Sequence, residues 1–256
     1  MALLETHNLD VTVAGIRVCR GLDLRIRPGE CWGLLGRNGA GKTTLLHTLA
    51  GLRAPDAGAI RLGGDPMGEL PRREIARRLG LLFQDTETAF PATVMEAALA
   101  GRHPHLGRWG WEGAEDRRLT EAALRAVGLD GMHRRRIETL SGGEQRRLAI
   151  ATLLAQDPAL ALLDEPTNHL DPNHQTGMLR LLQKRMQSGG RAMLLILHDI
   201  NLALRFCDHL LLLFGGGDTL QGPASQVARR EHLEHLYGCR VAEIPGGPHG
   251  PVYLPA

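Results

Sequence analysis

Apolar residues in this chain fall into short runs of four to six separated by stretches with a helical period, and the two patterns alternate from one end to the other. Continuous apolar runs at Cys31–Leu35, Leu79–Phe83, Ala159–Leu163, Ala192–Leu197 and Leu210–Phe214 predict strands buried on both faces. Leu3–Val13 and Val18–Arg27 alternate instead, with a turn at Ala14-Gly15, and predict an antiparallel pair with one face on the core. Between them these elements predict an α/β chain with a mostly parallel sheet wrapped by helices, and an antiparallel β subdomain near its start. From residue 85 to residue 157 strand signals give way to helical spacing at Thr93–Ala100, Glu115–Val127 and Glu144–Ala155, which predicts an inserted helical subdomain at 85–157 within a single domain spanning 1–256. Beyond Arg240, two short strand-like pieces flank the turn Pro245–Gly250 and predict a closing hairpin.

The 256 residues allow a sizeable core, and composition narrows the chemistry. A formal net charge of +2 falls short of the strongly basic footprint of a dedicated nucleic-acid binder, so no nucleic-acid partner is expected. The arginine clusters at 72–73, 77–78 and 134–136 are then solvated helix faces. Cysteines at 19, 31, 207 and 239 form no C-x-x-C pair, which argues against a zinc site or a disulfide framework. The longest apolar runs are too short to span a bilayer, and Met1–Asp10 lacks the basic and apolar regions of a signal peptide.

Three stretches carry candidate chemistry. The chain has two lysines, and Lys42 lies in Gly36-Arg37-Asn38-Gly39-Ala40-Gly41-Lys42-Thr43, a G-x-x-x-x-G-K-[ST] phosphate loop set between the strand Cys31–Leu35 and the helical stretch Thr44–Ala50. There glycines let main-chain N–H groups turn inward around phosphates, the helix start adds partial positive charge, Lys42 reaches the outer phosphates and Thr43 offers a hydroxyl to Mg²⁺. The strand ending Leu160-Ala161-Leu162-Leu163 runs into Asp164 and Glu165, one carboxylate suited to Mg²⁺ and the next placed to polarise an attacking water. Leu140-Ser141-Gly142-Gly143-Glu144-Gln145 opens the third helix. Its S-x-x-E spacing is that of a capping box, but two consecutive glycines add an anion-binding turn that one phosphate loop makes redundant. A second copy facing the first head to tail resolves the redundancy, each turn closing over the nucleotide of the other chain.

Taken together these motifs resemble the ATP-binding cassette of ABC transporters, whose signature is L-S-G-G-[QE], and the resemblance runs over nearly the whole chain. It implies a P-loop NTPase core that binds ATP and Mg²⁺ through Gly36 to Thr44, and hydrolyses ATP with Glu165. It also implies that Gln84 is the lid glutamine touching metal and water, that His198 is the switch histidine on the γ-phosphate, and that Asp171 in Asn168-His169-Leu170-Asp171 couples two sites across a dimer. Ser141, Gly142, Gly143 and Glu144 then contact the nucleotide of the partner copy, and Thr43, Gln84 and Asp164 surround the metal. One departure is Val13, where the family carries an aromatic that stacks on adenine; such stacking contributes about 1–3 kcal/mol per base in nucleic-acid complexes, so base selectivity is in question.

Further stretches, Ala100-Gly101-Arg102-His103-Pro104-His105 with Trp109 and Asp116, His198-Asp199-Ile200-Asn201-Leu202-Ala203, and Leu236-Tyr237-Gly238-Cys239-Arg240-Val241, are similar to the subunits that power import of ferric siderophores, haem and cobalamin. That resemblance implies a separate polytopic permease, a substrate-binding protein acting indirectly, and a place on the cytoplasmic face of the inner membrane. A translation factor or a DNA-repair ATPase of the same superfamily stays open at this level. The segment from Arg102 to Trp111, which gathers Arg102, His105, Trp109 and Trp111, is expected to dock the permease, because Arg and Trp are the types that anchor interfaces.

Overall fold

The computed structural model describes residues 1–84, 91–107, 110–168, 170–187, 189–246 and 250–256. The chain divides into two compact units, one formed by 1–70 with 186–256 and the other by 71–185.

The first unit begins with β1 (Leu4–Val13), which pairs antiparallel with β2 (Ile16–Leu22) and with the short β3 (Arg25–Ile26). The sequence predicts one strand over Val18–Arg27. It is broken because Thr6 takes over the pairing at the break: its hydroxyl donates to the Leu22 carbonyl (2.6 Å) and accepts from the Leu24 N–H (2.8 Å). Buried positions along β1 run 4 and 6, then 9 and 11, a change of phase that a simple alternation cannot produce. The cause is a bulge at Asn8, which has φ 51°. Facing it, Gly58 is obligatory, because a Cβ there would lie 2.3 Å from the Asn8 carbonyl oxygen.

β4 (Cys31–Gly36) is buried along its whole length and leads through a loop into α1 (Lys42–Leu49). β5 (Ala57–Leu62) and the two-residue β6 (Asp65–Pro66) complete the antiparallel sheet; β5 escapes the sequence pattern because only Ile60 and Leu62 of its six residues are buried.

In the second unit, α2 (Arg72–Arg78) precedes β7 (Leu79–Leu82), and α3 (Val94–Leu99), α4 (Ala114–Ala126) and α5 (Gly142–Gln156) follow. β8 (Leu160–Leu163) is parallel to β7, and α6 (Pro172–Gln187) ends the unit. Among the described residues three α-helices fall within 85–157, the interval expected to be helical; residues 85–90 and 108–109 of it lie outside the described residues. Both α3 and α5 start with a complete capping box, Thr93 with Glu96 and Ser141 with Glu144.

The chain then returns to the first unit with β9 (Ala192–Ile196), α7 (Ile200–Phe206), β10 (His209–Gly215) and β11 (Asp218–Pro223). β4 lies between β9 and β10, parallel to both, and β11 closes the edge antiparallel to β10. After α8 (Ala224–Val227) and α9 (Arg230–Tyr237), the expected hairpin forms from β12 (Val241–Ile244) and β13 (Val252–Pro255). It is anchored by Asn201, whose amide donates to the Tyr253 carbonyl (3.0 Å) and accepts from its N–H (2.9 Å), and by the Tyr253 hydroxyl on the Ala228 carbonyl (2.6 Å).

The docking segment expected between Arg102 and Trp111 is corrected at Arg102. Its side chain is buried, ion-paired to Asp116 at 2.9 Å and donating to the Ala155 carbonyl at 2.8 Å. A second tie to the end of α5 comes from the His105 ring, 2.8 Å from the Gln156 carbonyl. The sequence shows the arginine but not its carboxylate, which α4 supplies. Of the tryptophans, Trp109 lies outside the described residues and Trp111 is 90% exposed, so it does not fill the core. Arg102→Ala is therefore expected to destabilise the protein by about 1–3 kcal/mol, since truncation removes the charged bond to Asp116 and leaves the Ala155 carbonyl without this donor. Thermal and urea unfolding of the variant measure this; an unchanged midpoint would return Arg102 to the surface role.

Candidate active site

In the first unit the phosphate loop leaves the C-terminal end of β4, and α1 begins at Lys42. Gly36 ends the strand where a Cβ would meet the Leu213 carbonyl oxygen at 3.0 Å. Gly39 and Gly41 take positive φ, +80° and +89°, which turns the loop back toward the helix start. At Gly41 space is also limiting, because a Cβ would lie 2.4 Å from a Val18 methyl group. No side chain caps α1 and no acid sits in its first turn, which leaves its N-terminus suited to an anion. Arg37, Asn38 and Gly39 are exposed at the mouth of the loop, while Ala40, Thr43 and Thr44 are half-buried. The Lys42 ammonium is turned inward, 8% exposed, and donates to the carbonyls of Gly36 (2.9 Å) and Arg37 (3.1 Å).

His198 follows β9 at the same edge of the sheet. The Leu197 N–H donates to the Leu34 carbonyl (3.3 Å), so His198 and the phosphate loop leave the carboxyl ends of adjacent parallel strands, the usual place for a ligand in such sheets. His198 is exposed, and the Asp199 carboxylate caps α7 by accepting from the Asn201 N–H (2.7 Å). Val13, at the end of β1, pairs with Ile16 across the tight turn at Ala14-Gly15 and is half-buried.

In the second unit β8 delivers Asp164, fully buried, with its N–H donating to the Leu82 carbonyl (2.9 Å). Glu165 comes next in the left-handed region, φ 47°, a conformation that L residues other than Gly and Asn or Asp adopt at a cost of roughly 1–3 kcal/mol. The turn directs its carboxylate to the end of β7, where the Gln84 amide donates to it at 3.3 Å. Asn168 donates to the same oxygen. Gln84 and Glu165, eighty-one positions apart in sequence, are thus brought together, and Asn168 joins them in a role its sequence position did not reveal.

Arg146, on the buried face of α5, also belongs to this cluster, with its guanidinium on the carbonyls of Asp164 and Glu165. An arginine at a core position of the helix pattern was the available signal.

At the start of α5, Ser141 accepts from the Glu144 N–H (3.3 Å), while the Glu144 carboxylate accepts from the Ser141 N–H (2.8 Å) and hydroxyl (2.9 Å) and pairs with Arg135 (2.9 Å). The Ser141 N–H, its hydroxyl and Arg135 hold the Glu144 carboxyl below its usual range. Gly142, in the first turn, does not have positive φ, and a Cβ there would meet nothing within 4 Å outside its own helix. Asp171 caps α6, accepting from the N–H groups of Asn173 (3.1 Å) and His174 (3.0 Å) and contacting the His174 ring at 2.6 Å, which lowers its carboxyl. Its neighbour His169 lies outside the described residues.

A match to the family described as ABC transporter covers residues 19–168. The chain is 36% identical over 243 residues to the ferric enterobactin transport ATP-binding protein FepC of Escherichia coli (strain K12), covering 94% of this chain and 89% of that protein. It is 38% identical over 263 residues to the hemin import ATP-binding protein HmuV of Myxococcus xanthus (strain DK1622), covering 96% and 97%. A solved structure described as an inward-facing conformation of a putative metal-chelate type ABC transporter superposes with a TM-score of 0.87 at 25% identity, over 100% of this chain and 98% of that one.

The chain belongs to the ATP-binding subunits of ABC transporters. It is an importer ATPase with the P-loop NTPase fold, and among the described residues no helix is long and apolar enough to cross a membrane.

The loop geometry separates the two positive-φ glycines by what surrounds them. Gly39→Ala faces open space and should cost about 1–2 kcal/mol for the left-handed backbone alone. Gly41→Ala adds the collision with Val18, a further cost of roughly 1–3 kcal/mol, and should abolish nucleotide binding. Melting curves together with binding of a fluorescent ATP analogue distinguish them; equal behaviour would mean that Val18 yields freely.

Proposed function

We propose that this subunit hydrolyses ATP with Glu165 as the residue that polarises the attacking water, and that the observation carrying this reading is the Glu165 carboxylate held by Gln84 and Asn168 in a left-handed turn at the end of β8. A carboxylate whose backbone turn and flanking donors are set in advance loses little freedom when the reaction begins. The loop Gly36 to Thr44 binds the triphosphate, with Lys42 exchanging its two carbonyl partners for phosphate oxygens, and His198 bonds the γ-phosphate. Thr43, Gln84 and Asp164 provide a hydroxyl, an amide oxygen and a carboxylate, hard oxygen donors that fit Mg²⁺ together with the phosphates. Bound there, Mg²⁺ supplies charge neutralisation on the phosphates. Residues 85–157 form the helical subdomain.

The functional unit is a head-to-tail dimer of two copies. Gly142 supports this reading: glycine is a poorer helix former than alanine, by up to about 1 kcal/mol in a helix interior, and nothing among the described residues requires it. Room for an approaching phosphate of the partner copy supplies the reason, with Ser141, Gly143 and Glu144 beside it and Asp171 coupling the two sites. A polytopic permease receives the work of dimer closure, a substrate-binding protein acts upstream of it, and the subunit sits on the cytoplasmic face of the membrane. The transported substrate is a metal chelate of the siderophore, haem or cobalamin type, the class for which several of its relatives are named.

Glu165→Gln is expected to bind ATP normally and hydrolyse it about 10²–10⁴ times more slowly, accumulating a nucleotide-bound dimer visible by sedimentation, whereas Lys42→Ala should lose nucleotide binding itself. Near-normal turnover by Glu165→Gln would remove that residue from its role. Gly142→Ala is expected to keep or raise the melting temperature, by up to about 1 kcal/mol of helix propensity, yet to prevent ATP-dependent dimerisation. A variant that dimerises as the parent does would show that this turn faces solvent throughout the cycle.

A further inference from the structure

The Arg146 side chain is 3% exposed and donates to main-chain carbonyls. Nε donates to the Pro166 carbonyl (3.2 Å), Nη1 to the carbonyls of Phe83 (2.5 Å) and Gln84 (3.1 Å), and Nη2 to those of Glu165 (2.7 Å) and Asp164. A guanidinium has five N–H donors in a rigid planar fork, and five carbonyls meet them. They come in runs: 83 and 84 at the end of β7, and 164, 165 and 166 at the end of β8.

Successive carbonyls in an extended strand point to opposite sides, so one nitrogen cannot bond both. They converge only where the backbone turns. Nη2 on Asp164 and Glu165 therefore selects the turned conformation between them, the left-handed geometry of Glu165, and Nη1 on Phe83 and Gln84 does the same where β7 ends. The carboxylate and the amide that bond each other at 3.3 Å are thus mounted on two backbones held by one planar group. That group belongs to α5, four residues after the exposed Gly142.

We propose that Arg146 is a positioning residue for hydrolysis, holding Glu165 and Gln84 in register and tying both to the helix that begins at Ser141. This rests on the assignment of Glu165 and Gln84 to the reaction. Lysine cannot replace it, because an ammonium has three donors and no fixed plane. Glutamine can keep at most two of the five bonds.

The test is a double-variant cycle on the full-length protein, with Arg146→Lys, Glu165→Gln and the two combined, measured for melting temperature, ATP affinity and single-turnover hydrolysis. Arg146→Lys is expected to bind ATP as the parent does while hydrolysis falls about 10²-fold, the loss typical of a misplaced catalytic group. In the Glu165→Gln background the same change should cost almost nothing more, because the group being positioned is already gone. Arg146→Gln serves as the second variant should Arg146→Lys be unstable.

Losses that multiply in the combined variant overturn the proposal, as does a fall in hydrolysis that only tracks ATP affinity or the melting temperature. Unfolding of both variants at the assay temperature assigns Arg146 to the fold instead. Normal turnover by Glu165→Gln alone is a different result, which removes the carboxylate assignment and this proposal with it.

Discussion

Carbonyl groups left over where parallel strands end are the constraint around which both units are built. Inside a β-ladder each carbonyl has a partner, but the chain turns out of the sheet at the ends of β4, β7 and β8, with Gly36, Asp164, Glu165 and Pro166 still buried, and a buried carbonyl without a donor costs about 1–3 kcal/mol. Each unit meets the demand with a buried cation. In the first, the ammonium of Lys42 covers Gly36 and Arg37; in the second, the guanidinium of Arg146 covers five carbonyls from two strand ends. The two solutions differ in permanence. An ammonium that bonds carbonyls can be drawn off by a polyphosphate, which offers more charge than they do. A fork whose every donor is engaged cannot leave without exposing the whole set.

What the sequence revealed follows from the range over which each feature is encoded. The phosphate loop is contiguous, its glycines answer local backbone needs, and its flanking strand and helix are strongly apolar, so it was legible residue by residue. So were the carboxylates after β8 and the capping box at Ser141 and Glu144. Partners far apart along the chain were not. The bond from Asn168 to Glu165 depends on a turn conformation that sequence does not display, and the acceptors of Arg146 lie 62 to 63 residues upstream and 18 to 20 downstream. Arg102 was misread for a related reason: arginine is the residue type of both interfaces and buried ion pairs, and only the position of Asp116 one helix further on decides between them. Among the strands, β5 and β11 were missed because their exposed edges carry Gly, Asp, Thr and Gln, residues that obscure the alternation.

Residues of the two glycine-containing turns sort by where their explanation is found. Gly36 and Gly41 are required by Leu213 and Val18 within the same unit, Ser141 and Glu144 by each other, and Asp171 by the start of α6. Gly142 is required by nothing among the described residues. It lies in the first turn of the helix whose second turn carries Arg146.

The left-handed backbone of Glu165 sets two selective pressures against each other. Glycine or asparagine would relax this residue and make the folded protein more stable, because neither pays the same steric cost. Either would also remove the carboxylate. A population evolving under heat alone would therefore find one of its easiest gains at the residue to which we assign the attacking water, and under that assignment a thermostable descendant that still transports must have drawn its stability from somewhere else.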